Sequence, residues 1–167
     1  MSTYQTIIRR RSIRRFKQKP IALSLLKKVV DAARLAPSAA NLQPIEFIIV
    51  NNKILVEKIF QFTAWAGYLG DKGAPEEGRR PTAYIAALVN SKKCKKPKYS
   101  EADVSAAIEN ILLVATELGL GSCWLGAINR EKIAKILSVP KYVSLAYLVA
   151  LGYPDEKSVA EEMTRSH

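Results

Sequence analysis

Residues 102–118 constrain this chain more than any other stretch. Val104, Ala106, Ala107, Ile108, Ile111, Leu112, Leu113, Val114, Ala115 and Leu118 run at helical spacing but leave almost no polar face. A helix that is apolar on most sides must be buried on most sides. In a chain of 167 residues, that burial calls for a second subunit over one face. The length suits one domain, and a body of about 150 residues buries roughly two-thirds of its unfolded surface. We therefore expect a single domain over 1–167, with the charged residues 155–167 as an extended tail.

Shorter elements surround this helix. Residues 3–11 predict a short helix leading into Arg9-Arg10-Arg11-Ser12-Ile13-Arg14-Arg15. An amphipathic helix follows over 23–36, with Leu26, Val29, Val30 and Ala33 on one face and Lys27, Asp31 and Arg34 on the other. The apolar run 47–50 suits a buried strand, and Asn52 can cap a helix over 53–62. Residues 67–81 carry four glycines and two prolines, which predicts a long loop or lid. Strands are expected at 84–89, 122–126 and 144–151, with a helix capped by Asn129 running to 138. The irregular alternation, without an even βαβ rhythm, favours an α+β sandwich with a mixed sheet.

Composition removes several classes of function. No apolar run approaches the roughly 20 residues of a membrane-spanning helix. Two cysteines, Cys94 and Cys123, stand at no metal-binding spacing, and the one histidine is His167. This leaves little for a histidine metal site or a Ser-His-Asp triad, and free thiols fit a reducing, cytoplasmic compartment. Residues 1–17 hold five arginines and no acid, as a transit peptide would. A helix-ready segment follows at once, however, without a cleavage site, which favours arginines that bind a ligand. The net charge of +11 keeps anionic ligands and nucleic acid in view.

Four segments carry possible chemistry. Arg10, Arg11, Ser12 and Arg14 could together hold a phosphate monoester, since guanidinium forks match phosphate oxygens; a solvated basic face or a generic nucleic-acid patch is the competing reading. The lysine segment 92–98 lacks aromatic interleaving and helix context, and reads as a solvated loop with salt-sensitive attraction to polyanions. Residues 37–44, Pro-Ser-Ala-Ala-Asn-Leu-Gln-Pro, put small side chains and the amides of Asn41 and Gln43 between a helix and a strand. They suit either a flat ligand or an Asx-type turn. Residues 119–126, Gly-Leu-Gly-Ser-Cys-Trp-Leu-Gly, are not a dinucleotide fingerprint. Trp124 occupies the third glycine's place and a helix precedes the motif. Cys123 is expected to be a small buried residue rather than a nucleophile.

Taken in order, Arg-Arg-Ser-x-Arg at 10–14, Ala-Pro-Ser-x-x-Asn-x-Gln-Pro at 36–44, the long apolar helix with its Gly-Leu-Gly-Ser-Cys-Trp-Leu-Gly end, and Ala-Leu-Gly-Tyr-Pro at 150–154 resemble the FMN-dependent nitroreductase family. The resemblance implies an α+β, three-layer α-β-α sandwich with a mixed, mostly antiparallel sheet, and a homodimer with FMN at the subunit interface. It implies that Arg10, Arg11 and Ser12 hold the flavin phosphate and that Arg14 lies by the ribityl chain and pyrimidine edge. Pro37, Ser38 and Ala39 would reach the flavin of the partner subunit, Asn41 and Gln43 in the same segment are further flavin-binding candidates, and the Leu125 and Gly126 backbone would contact flavin N5 and O4. Of the basic pair that many members have near the C-terminus, only Arg165 is available. Ile45 stands where many members have Trp, and Glu109 where Gln is frequent.

The implied activity is an oxidoreductase that takes hydride from NADH or NADPH onto FMN and reduces a small molecule such as a nitroaromatic or quinone. Dehalogenation, flavin processing and oxidation of peptide heterocycles occur on the same fold. A basic nucleic-acid-binding module, or an FMN-binding protein with little turnover, are the readings from other classes. No helix-turn-helix, zinc-finger or RNA-binding pattern supports a specific nucleic-acid partner.

Overall fold

The computed structural model describes residues 2–67, 70, 73–94 and 96–156. Its elements are α1 (Thr3–Arg9), β1 (Phe16–Lys17), α2 (Leu23–Arg34), a 3-10 turn (Ala39–Asn41), β2 (Ile45–Val50), α3 (Lys53–Phe60), β3 (Ala83–Asn90), α4 (Pro97–Glu117), β4 (Gly121–Leu125), α5 (Arg130–Ile136) and β5 (Val143–Pro154). The tail beyond Glu156, and with it Arg165, lies outside the described residues.

The five strands form one sheet ordered β1-β5-β3-β2, with β4 also paired to β5. All four strand pairings are antiparallel, and the parallel component is an isolated bridge between Ser12 and Ser122. β5 is the organising strand. One edge takes β3 along Ala83–Asn90; the other takes β4 and, at its last two residues, β1.

Two apolar clusters sandwich this sheet, giving three layers. Leu26, Val29 and Ala33 of α2 pack with Val104, Ala107, Ile108, Ile111 and Ala115 of α4 against Ile85, Val149 and Leu151. On the other face Val56 and Ile59 of α3 and Ile133 of α5 cover Tyr84, Ala86, Leu148 and Ala150. Asn52 and Asn129 cap α3 and α5 as expected, their side chains accepting from Leu55 and Lys132 N–H.

The central helix starts at Pro97, five residues before the expected 102. Proline is suited to the first helical turn because its missing N–H would have no intrahelical partner there. The basic segment is therefore split, with Lys98 on the first turn of α4. One stripe of α4, comprising Ala102, Ala106, Glu109, Leu113 and Glu117, stays exposed or half-buried. Among the described residues no helix is long and apolar enough to cross a membrane.

Candidate functional site

The basic cluster is positioned by two apolar anchors and two glycines. Ile13 and Phe16 are buried and lie against Gly121 and Gly152. A Cβ on Gly121 would come within 2.7 Å of the Ile13 side chain, and one on Gly152 within 2.6 Å of the Phe16 ring. Neither position can hold a larger residue without displacing the segment. A buried phenylalanine of this kind contributes about 3–5 kcal/mol. The Ile13 N–H donates to the Ser122 carbonyl at 2.9 Å, so residues 12–16 run along the β4–β5 edge with the polar side chains outward.

Within this frame the arginines diverge. Arg10 terminates α1, and its Nε stands 3.6 Å from the Glu109 carboxylate on α4. Arg11 folds back: its Nη1 donates to the carbonyls of Ile8 and Arg10 at 2.6 and 2.7 Å, satisfying the end of α1. Ser12 is exposed. The backbone N–H of Arg14 donates to Glu156 at 2.6 Å. Its guanidinium charge reaches Cys123 on β4, favouring the thiolate. Burial outweighs that effect and pushes the Cys123 thiol up to about 11, so it is protonated at neutral pH.

β4 leads from Ser122 to the Leu125–Gly126 turn. There Arg130, at the start of α5, donates to the Gly126 carbonyl at 3.1 Å and to the Ala146 carbonyl at 3.0 Å. A Cβ on Gly126 would rest 3.5 Å from the Tyr147 ring. Tyr147 meets Trp124 edge-on, with centroids 5.2 Å apart, and its hydroxyl donates to Glu101 of α4.

The segment 36–44 is pinned to the first half of α4. The Ala39 N–H donates to the buried Asp103 carboxylate at 2.9 Å, and the Gln43 N–H to the Ser38 hydroxyl at 2.9 Å. The second carboxylate oxygen of Asp103 has no hydrogen-bond partner. A cavity of about 220 Å³ opens here, lined by Pro37, Ser38, Gln43, Phe47 and Asp103 among others. A separate cavity of about 400 Å³ adjoins Arg9, Arg11, Gly119 and Glu156. The two share no lining residue.

Thus the structure seats Ser12 beside Ser122 and Arg14 within reach of Cys123 on β4, the strand that ends at Leu125 and Gly126, while Arg10 and Arg11 sit at the end of α1. It sets Pro37, Ser38, Ala39, Asn41 and Gln43 on another part of α4. Arg10 at Glu109 and Ala39 at Asp103 are separated by six helical positions, about 9 Å of rise and roughly a third of a turn. Three contributors were missed in the sequence: Asp103, Arg130 and the Tyr147–Glu101 pair. Arg130 carried a signal, since it stands four residues past Gly126 at the head of a capped helix. The other two depend on tertiary placement alone.

An exposed hydroxyl and diverging guanidinium groups at one end of an edge strand, with a glycine turn at the other, suit an elongated ligand with an anionic head. Ser12 and Arg10 fit a phosphate, whereas Arg11 as it stands serves α1. Residues 7–153 match the model of the nitroreductase family, and the chain belongs to that family.

A relative from Archaeoglobus fulgidus, whose name assigns it to NADH dehydrogenases or NAD(P)H nitroreductases, is 36% identical over 167 residues, covering 93% of this chain and 87% of that protein. The solved nitroreductase family protein of Clostridium novyi superposes with a TM-score of 0.79 at 31% identity, over 93% of this chain and 87% of that one. An FMN-dependent nitroreductase of Clostridium difficile gives a TM-score of 0.76 at 29% identity, over 92% and 88%.

Proposed function

We propose that the chain is an NAD(P)H-dependent FMN oxidoreductase acting on a small oxidised substrate such as a nitroaromatic or a quinone. The observation that carries this reading is the β4 edge. Gly121 and Gly152 let Ile13 and Phe16 dock, and Ser12 and Arg14 then stand beside Ser122 and Cys123 of the strand that ends at Leu125, which supports a ligand lying along it. When bound, FMN supplies the redox centre that accepts a hydride and gives it up at N5.

This chain's residues do the rest. Ser12 donates its hydroxyl to the phosphate and Arg10 supplies charge-assisted hydrogen bonds, once drawn from Glu109. Arg11 adds to the phosphate field from the end of α1. Arg14 places positive charge beside the pyrimidine edge, where negative charge grows on reduction. Leu125 and Gly126 present backbone at N5 and O4, and Arg130 fixes that turn by holding the Gly126 carbonyl. Pro37, Ser38, Ala39, Asn41 and Gln43 act on the flavin of the partner in a homodimer, which accounts for two half-sites that share no cavity within one chain. Arg165 completes the phosphate site from the tail.

A visible spectrum of the purified protein, followed by anaerobic addition of NADH and then NADPH, tests the reading. Flavin bands that bleach with a pyridine nucleotide are the expected result. Bands that persist with both donors would remove the hydride step, and failure to retain added FMN would remove the reading altogether.

A further inference from the structure

The lysine segment between β3 and α4 has a role that its sequence conceals. Lys92 Nζ stands 3.8 Å from the centre of the Tyr142 ring, and Lys96 Nζ stands 5.6 Å from that of Tyr99. Both rings are large exposed surfaces, at 42% and 45%. Each ammonium group thus stands over an aromatic face supplied from outside the lysine run, Tyr142 before β5 and Tyr99 in the first turn of α4.

Their chain neighbours Ser91, Ser100 and Ser144, with Val89, Cys94, Glu101 and Ala146, line a cavity of about 570 Å³, within the size range of small-molecule sites. Its floor reaches the candidate flavin turn. Glu101 accepts from Tyr147, whose ring faces Gly126, and Ala146 is held by the same Arg130 that holds Gly126. From Tyr147 back to Tyr142 the strand direction covers about 16 Å at roughly 3.3 Å per residue. That is about the reach of an extended dinucleotide.

The charges are set for an anion. Glu46, the carboxylate beside the segment, is already engaged by Asn90 and Lys93, and Glu101 by Tyr147. Among the described residues no carboxylate pairs with Lys92 or Lys96. Inside the cavity wall the Ser100 hydroxyl is buried and has no hydrogen-bond partner.

We infer that the Lys92–Tyr142 and Lys96–Tyr99 rim binds the adenosine 2′-phosphate end of the electron donor, making the protein selective for NADPH over NADH. The two donors differ only by that phosphate monoester. Lysine recognises phosphate as a point charge, and an exposed tyrosine face can stack on adenine. The inference rests on the oxidoreductase reading for its biological meaning, but the rim can be probed without flavin.

Titration of the protein with 2′,5′-ADP and with 5′-AMP, followed by calorimetry, isolates the 2′-phosphate. At least tenfold tighter binding of 2′,5′-ADP is expected, and the Lys92→Ala/Lys96→Ala variant should reduce that advantage to less than threefold. Equal affinity for the two nucleotides, or an advantage untouched by the double substitution, overturns the inference. A short random oligonucleotide that outcompetes 2′,5′-ADP at physiological salt would also overturn it, revealing a general polyanion surface. On the loaded enzyme, the ratio of flavin bleaching rates with NADPH and NADH should fall toward one in the variant. Bleaching by neither donor would strike the oxidoreductase reading, while the nucleotide titration still decides the rim.

Discussion

Ala40, Asn41 and Gln43 adopt φ values of 50°, 53° and 48°, three left-handed residues within four positions and none a glycine. For asparagine this costs little, but an alanine there bears about 1–2 kcal/mol of steric strain. The Asp103 carboxylate and the Ser38 hydroxyl hold the segment in that shape. Ala40→Gly is therefore expected to stabilise the protein by about 0.5–1 kcal/mol, the relief of strain exceeding the added flexibility of the unfolded chain. Urea denaturation checks this, and a lowered midpoint would contradict it. The amides of Asn41 and Gln43 were visible in the sequence as turn formers. The strain was not, because an alanine carries no mark of the conformation its surroundings impose.

Among the elements, the segment from Arg14 to Lys17 shows how much tertiary chemistry short pieces can carry. Arg15 and Arg79 both pair with Glu76, at 2.9 Å each, while Arg79 also holds Asp155 at 2.7 Å and Arg15 stands 3.6 Å from Glu156. Three stretches distant in sequence are thereby laced together. Within the expected loop or lid at 67–81, the described stretch 76–79 is docked, through Glu76 and Arg79. A backbone hydrogen bond, then Arg79 and Arg15, hold the Glu76 carboxyl down to about 2 from its ordinary 4.5.

A carboxyl with a folded-state pKa below its unfolded value stabilises the fold above the unfolded value and loses that effect as pH falls through the folded one. Glu76→Gln should thus lower the melting temperature slightly at pH 6, as befits an exposed pair. The gap should narrow below pH 4.5 and close near pH 2; a gap constant across that range would contradict the clamp. The sequence could not show β1, since two residues generate no periodicity. It did show both glycine motifs that receive the segment, because Gly121 and Gly152 lie in recognisable runs.

For the whole molecule, the unresolved question in the sequence was what covers the central helix. The chain itself covers most of it, through the sheet, α2 and α1. The remaining stripe, Ala102, Ala106, Glu109, Leu113 and Glu117, lies near α1, whose Tyr4, Ile7 and Ile8 are exposed. In the homodimer proposed above, this face is where the second copy would sit. Leu113→Arg should convert a dimer in sedimentation velocity to a monomer and cost most of the bound FMN. A monomeric parent protein would refute that arrangement. The all-round apolarity of α4 made its burial legible; the path of α1 across it was not, because packing of helix on helix leaves no local signature.

The docking of residues 12–17 also sets a timetable for biosynthesis. Ser12 bridges to Ser122, and Phe16 pairs with Pro154, so these residues find their seats on strands made more than a hundred residues later. Contacts of such long sequence separation form late and slowly. Until the ribosome has released β5, the arginine cluster has no edge to lie against. A ligand held along that edge therefore finds its seat only after synthesis has passed residue 154.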